Sequence, residues 1–192
     1  MKIPHPYEWL SESGQNRAFI ALFVVTIAVM MALNIIGQPL ITKAAPRGIV
    51  SFEFAGNSKI AQGIIDSWGQ KGQVYAGLSL GLDYLFLLLY SCCIALGCVL
   101  VARHLFHRVQ FLSPLGGILA WAQFPAAILD AIENYGLIRV LLGSDQNLWP
   151  VLARWAAIPK FLIVILGLLY VIFGLILILV VKKSRPIQKI AR

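Results

Sequence analysis

FLIVILGLLYVIFGLILILVV, residues 161–181, sets the class of fold open to this chain. The run contains no charge, and Tyr170 is its one strongly polar side chain. As an α-helix rising about 1.5 Å per residue it would be about 31 Å long, which matches a bilayer hydrocarbon core of about 30 Å. Lys160 stands immediately before it, and the basic segment KKSRPIQKIAR, residues 182–192, immediately after. An uncharged run closed by clustered Lys and Arg is the pattern of a spanning helix that ends at a membrane surface.

The rest of the chain has the same character. Its 192 residues are 59% hydrophobic and 12% charged, with a mean hydropathy of +0.82. That is too apolar and too sparsely charged for a water-soluble domain of this length. The formal net charge of +8 does not point to nucleic acid, because Lys and Arg sit at the ends of apolar runs and not along a basic face. Membrane lipids, anionic ones included, are the partner that fits this distribution. Cys92, Cys93 and Cys98 share one apolar run without CxxC or Cys/His metal spacing, so they read as packing residues.

Working outward, three more spans appear. From Ala18 to Ile36 every residue but Thr26 and Asn34 is apolar, and the helix is expected over 18–40. It is longer than the apolar core of a signal peptide and is expected to be retained. Gly37 and Pro39 close it, and a loop over 43–73 follows. In that loop IVSFEF reads as extended, whereas SKIAQGIIDSW reads as a short amphipathic helix opened by Asn57 or Ser58. Ile60, Ala61, Ile64, Ile65 and Trp68 recur at helical spacing, with Lys59, Gln62 and Asp66 on the other side. Such a helix is expected to lie on the membrane surface as a lid.

The remaining spans are expected over 74–102, 110–142 and 151–181. Ser79, Asp83 and Ser91 interrupt the first of these, and Pro114 and Pro125 are the expected bend points of the second. His104 and His107 stand three apart in the turn RHLFHR, but without a third ligand nearby they make no metal site. The fold expected is therefore all-α: one membrane domain over 1–192, a bundle of four transmembrane helices with a short amphipathic helix in the first extracytoplasmic loop. Four spans put both termini on one side. Of the 16 Lys and Arg, nine fall with the termini and seven opposite, so the positive-inside rule puts the termini, and the tail over 182–192, in the cytoplasm.

DAIENY, residues 130–135, is the anomaly, since it sets two carboxylates and an amide inside a span. Counting inward from the outer helix ends puts Asn34, Asp83 and Glu133 about 12–14 Å deep, with Lys160 slightly shallower and Asp130 about one turn deeper. Helical faces add a second constraint. Asp83 shares its face with Ala76, Ser79, Tyr90 and Gly97. Asp130 shares its face with Gly116, Gln123, Ala126, Ala127, Glu133 and Asn134, and Lys160 lines up with Ala153, Gly167 and Gly174. Small residues mark close helix contacts in lipid, so these polar groups are expected to face the bundle interior. Arg139 falls on the opposite face from Asp130 and is assigned to the headgroup region.

The candidate ligand-binding residues are thus Asp83, Asp130, Glu133, Asn134, Lys160 and Asn34, with Glu53 and Trp68 closing the site from the loop and Tyr90 flooring it. Three carboxylates against one ammonium in low dielectric need compensation, by a proton, a bound cation or a cationic headgroup. The first function expected is binding of a cation or of a lipid-like or amine ligand. A second is a structural or accessory subunit of a membrane complex, with the polar network setting helix register. A third is a lipid-modifying enzyme using a carboxylate pair as acid and base. No Ser/His/Asp order, GxSxG or HExxH supports catalysis, no cofactor is expected, and association into a homo-oligomer is compatible with the long apolar fourth helix.

SFEFAG, GIIDSW, LGLDYLFLLLY, DAIENYGL and PKFLIVI together resemble a group of small uncharacterised bacterial four-helix integral membrane proteins. The resemblance covers most of the chain after residue 50. It implies a multi-pass protein of the bacterial cell inner membrane and the same polar positions, and it carries no known activity.

Overall fold

The computed structural model describes residues 4–105 and 112–183. Five helices follow in order: α1 (Glu12–Gly37), α2 (Ile49–Glu53), α3 (Ser58–Leu105), α4 (Leu112–Leu141) and α5 (Leu148–Lys183), with a 3-10 turn at Gln38–Leu40 and no strand among the described residues. Four of them are long and apolar enough to cross a membrane. The most apolar 18-residue stretch of α5 reaches a mean hydropathy of 3.3, whereas that of α4, which carries DAIENY, reaches 1.5.

The first helix begins earlier than its apolar run. Ser11 caps it by accepting from the Gly14 amide at 3.2 Å, as an N-cap hydroxyl does for an orphan donor of the first turn. Arg103, near the end of α3, donates to Gln15 and Asn16 in that same turn, which places the start of α1 beside the end of α3. Tyr7 is buried, and its hydroxyl donates to the Cys92 carbonyl at 3.0 Å. Trp9 remains exposed at the surface.

At 48 residues α3 would span about 72 Å, more than twice a hydrocarbon core, if it were one straight helix. It is two helices joined at Gly69, whose φ of 59° and ψ of −176° suit a residue without Cβ. Asn57 accepts from the Ile60 amide at 2.9 Å and so opens the first of them. Ala61, Ile64, Ile65 and Trp68 on that helix pack with Leu40, Phe52, Leu137, Val140 and Ala153. Ile60, expected on the same face, is exposed. The turn before α5 clips this helix in place, since Asn147 accepts from the Ser58 amide at 2.9 Å.

IVSFEF is not extended. Gly48, at φ 58°, turns the chain into the one-turn helix α2, and Phe54 donates back to the Val50 carbonyl. An extended segment needs a neighbouring strand for its backbone groups, and this all-helical surround offers none. Phe52 of α2 is fully buried with its ring edge-on to Trp68 at 5.2 Å. The turn RHLFHR lies partly, and the basic tail beyond residue 183 wholly, outside the described residues, so His107 is not described. His104 has its Nδ1 2.8 Å from the Leu100 carbonyl of its own helix.

In the bundle α3 packs against α4, α5 and α1, and α4 packs against α5. The core is therefore three helices, with α1 laid along α3. Helix α4 runs on through Pro125 and α5 through Pro159 without interruption. Small residues allow the close approaches. A Cβ at Gly116 would meet Ala102 Cβ at 2.7 Å and the Tyr170 hydroxyl at 2.5 Å, and one at Gly174 would run into Val101. Gly116→Ala and Gly174→Ala are therefore expected to cost about 1–3 kcal/mol each through forced displacement of packed neighbours. Thermal unfolding in detergent checks this against Gly81→Ala, where the added Cβ meets nothing within 4 Å and no loss is expected.

Candidate functional site

The polar residues of the bundle converge where α2, α3, α4 and α5 meet, towards the end that carries the 41–57 loop. Asp130 and Glu133 lie one turn apart on α4, so both carboxylates leave the helix on one face. Lys160 enters from α5, with Nζ 3.0 Å from Asp130 Oδ1 and 2.6 Å from Glu133 Oε2. The first contact is a hydrogen bond and the second an ion pair. The Phe161 ring covers the ammonium at 4.4 Å. Desolvated ammonium groups gain from such ring faces as well as from carboxylates.

The cluster continues into α3. Tyr90 donates its hydroxyl to Asp130 Oδ2 at 2.8 Å, and Asn134 donates its amide to Asp83 Oδ2 at 2.6 Å. Asp130, Glu133, Asn134 and Lys160 are all buried, with Glu133 at 0% exposure. The side chain of Glu53 comes down from α2 until its carboxyl reaches that of Glu133. Glu53 Oε2 and Glu133 Oε1 are sealed from solvent without a hydrogen-bond partner. Burial raises the Glu53 carboxyl to about 7, against the pull of the Lys160 ammonium and with a push from Asp83 and Asp130.

Beside this cluster lies a cleft of about 240 Å³ between the end of α1, the 38–53 segment, α3 and α4. Glu53, Asp83 and Asn134 form its acidic wall, Arg47 and Gln38 lie on it from the loop, and Leu33, Ile41, Ile49, Val50 and Leu80 supply apolar surface. The volume sits just under the usual ligand-pocket range of about 300–1,000 Å³.

Two expected residues stand elsewhere. Asn34 lines the cleft but is exposed and donates to Met30 of its own helix at 2.9 Å, so it does not tie helices together. The reason is that α1 packs chiefly on α3, which leaves most of its surface outward. Trp68 does not close the site, because its indole N–H is spent on the Leu40 carbonyl at 2.8 Å and its ring on Phe52. It pins the loop to α3 instead. Arg139 is exposed and lies over the Trp149 ring at 5.1 Å, away from the carboxylates.

Sequence reasoning passed over Arg47 and Phe161. Phe161 neighbours Lys160 in sequence and so lies off its helical face, and Arg47 belongs to a loop whose path no periodicity encodes. Among the described residues no three His, Cys, Asp or Glu side chains are disposed to hold a metal ion.

The arrangement defines a helical bundle with four potential spans and an acid-rich polar interior that opens sideways into a cleft. No protein-family model, curated protein or solved structure matches the chain.

Proposed function

We propose that this is an integral membrane protein whose cleft binds a cation of the organic ammonium type, free or as the headgroup of a lipid. The observation that carries the reading is a surplus of carboxyl groups. Glu53, Asp83, Asp130 and Glu133 gather around the ammonium of Lys160, and Arg47 lines the same cleft as Glu53 and Asp83. With all groups ionised, two negative charges are left over in a desolvated space, where an unpaired charge is expensive. An ammonium in the cleft, beside Glu53 and Asp83, would offset one of these two charges. The dispersed ligand set favours an ammonium over a metal ion, which would need several donors converging on one point.

The membrane setting is supported by the bundle's outer surface. Ile35 is 73% exposed, Leu179 66% and Trp155 68%, a burden that water would punish and lipid tails accept. Termini in the cytoplasm complete the reading, on the Lys and Arg distribution, and a bacterial inner membrane, on the resemblance to small bacterial four-helix membrane proteins.

The reading is tested by thermal unfolding of detergent-purified protein with octylammonium, choline, Mg²⁺ and Ca²⁺. Octylammonium is expected to raise the melting temperature in a saturable way, and Asp83→Asn and Glu53→Gln to weaken that binding at least tenfold each. Equal stabilisation of wild type and both variants, or none by any cation, overturns the reading.

One observation favours a second reading. Lys160 ties α5 to two carboxylates of α4, while Tyr90 and Asn134 tie α4 to α3. Such a network can hold helix register in an accessory subunit without binding anything. On that reading Lys160 matters for stability, and the cleft variants change nothing but local polarity.

A further inference from the structure

The cleft is not uniformly acidic. Asp83 and Glu53 lie on one side of it, and Arg47 lines the same space from the loop. The Arg47 backbone N–H donates to Ser51 at 2.9 Å, which fixes the loop at that point. Its guanidinium makes no ion pair with either carboxylate. Asp83, for its part, lines the cleft and is held through Oδ2 by Asn134. Separated opposite charges across one small space, neither satisfied by the other, are what a ligand carrying both signs would meet.

We infer that the ligand of this cleft is a zwitterion joining a primary ammonium to a phosphate or carboxylate, with the ammonium on Asp83 and Glu53 and the anion on Arg47. The inference deepens the cation reading and rests on it. The guanidinium fork presents paired N–H donors that match phosphate or carboxylate oxygens. A primary ammonium offers three donors, and a carboxylate such as Asp83 accepts them. A space of about 240 Å³ is roomy enough for a small polar headgroup.

Two sources could supply this chemistry, a phospholipid with an ethanolamine headgroup or a free zwitterion. The surroundings favour the lipid. Leu33 and Ile41 line the cleft, Ile41 is 54% exposed, and Ile35 beside them is 73% exposed, so the polar space runs into an outward apolar surface without a break. Acyl chains could stay against that surface while the headgroup enters.

The test uses the full chain in detergent with phosphatidylethanolamine, phosphatidylcholine, phosphatidylglycerol, O-phosphoethanolamine and octylammonium, read by native mass spectrometry and thermal unfolding. Phosphatidylethanolamine is expected to be retained at least tenfold better than the choline and glycerol lipids. Arg47→Gln should cut that retention at least tenfold without weakening octylammonium binding, since it removes a like charge from the cleft, and Arg47→Lys should restore part of the lipid retention. Asp83→Asn should weaken both probes. Binding of O-phosphoethanolamine as tight as that of the lipid supports the zwitterion and assigns it to a soluble source. Phosphatidylethanolamine binding unchanged in Arg47→Gln, or equal retention of phosphatidylglycerol, overturns the inference while the cation reading stands. Failure of octylammonium to bind the wild type removes both. Arg47 is exposed, so its variants should melt at the wild-type temperature without ligand, which separates lost binding from lost folding.

Discussion

Lys160→Met is expected to destabilise the bundle by about 3–5 kcal/mol, the usual result of removing one partner from a buried ion pair. Lys160 is 6% exposed, Asp130 3% and Glu133 0%, so neither carboxylate can turn to water when the ammonium is gone. Asp130 would keep the Tyr90 hydroxyl, whereas Glu133 would lose its ion-pair partner and keep beside it only another carboxyl, that of Glu53. The variant should therefore melt well below wild type in detergent, or fail to fold. Met preserves the length and apolar stem of Lys, which limits the packing loss and assigns the effect to charge. The decisive comparison is a double variant. Lys160→Met with Glu133→Gln should recover much of the loss, because the orphaned charge has gone with its partner. A triple variant adding Asp130→Asn should come closer still, with Tyr90 able to donate to the amide oxygen. If Lys160→Met melts within a degree or two of wild type, the cluster is not holding the helices together.

Much of this cluster could be read from residues alone because helical periodicity and small residues are reliable within a span. Asp130, Glu133 and Asn134 share a face with Gly116, Gln123, Ala126 and Ala127, and every one of these is buried. Lys160 lies over Ala153, Gly167 and Gly174 in the same way, all three buried. Where tertiary context decides, the pattern gave out. IVSFEF alternates as a strand would, yet six residues with no partner strand save more backbone hydrogen bonds as a helical turn. Trp68 stands on the buried face of its helix as periodicity requires, but the partner of its indole N–H is a carbonyl 28 residues away that no local rule predicts. Asn34 sits at the expected depth and misses the core because α1 is an outlying helix, a matter of packing order and not of its own sequence. The contact of Glu53 with Glu133 and the position of Arg47 both depend on how the loop folds back, and loop paths carry no period.

Ammonium binding in the cleft is expected to weaken as pH falls through about 7, by up to tenfold per unit below it. Burial raises the Glu53 carboxyl from an ordinary 4.5 to about 7, so near neutrality this group is only partly ionised in the folded protein. A cation binds the ionised form, and below that pH the proton takes its place. Between pH 7 and pH 5 the loss is about fiftyfold, equivalent to about 2.3 kcal/mol. The ligand-free protein should respond with the opposite sign. Its Glu53 holds a proton more tightly folded than unfolded, so this group's contribution to stability is present in acid and is lost as pH rises from about 4.5 through about 7. Melting temperatures with and without saturating octylammonium should therefore diverge as pH increases from 5 to 8, with the ligand-induced shift largest at the alkaline end. Glu53→Gln cannot ionise, and its ligand-induced shift should be small and nearly constant with pH. A wild-type shift that is equally flat would mean that Glu53 does not exchange a proton for the ligand, and would move the cation's charge partner to Asp83 alone.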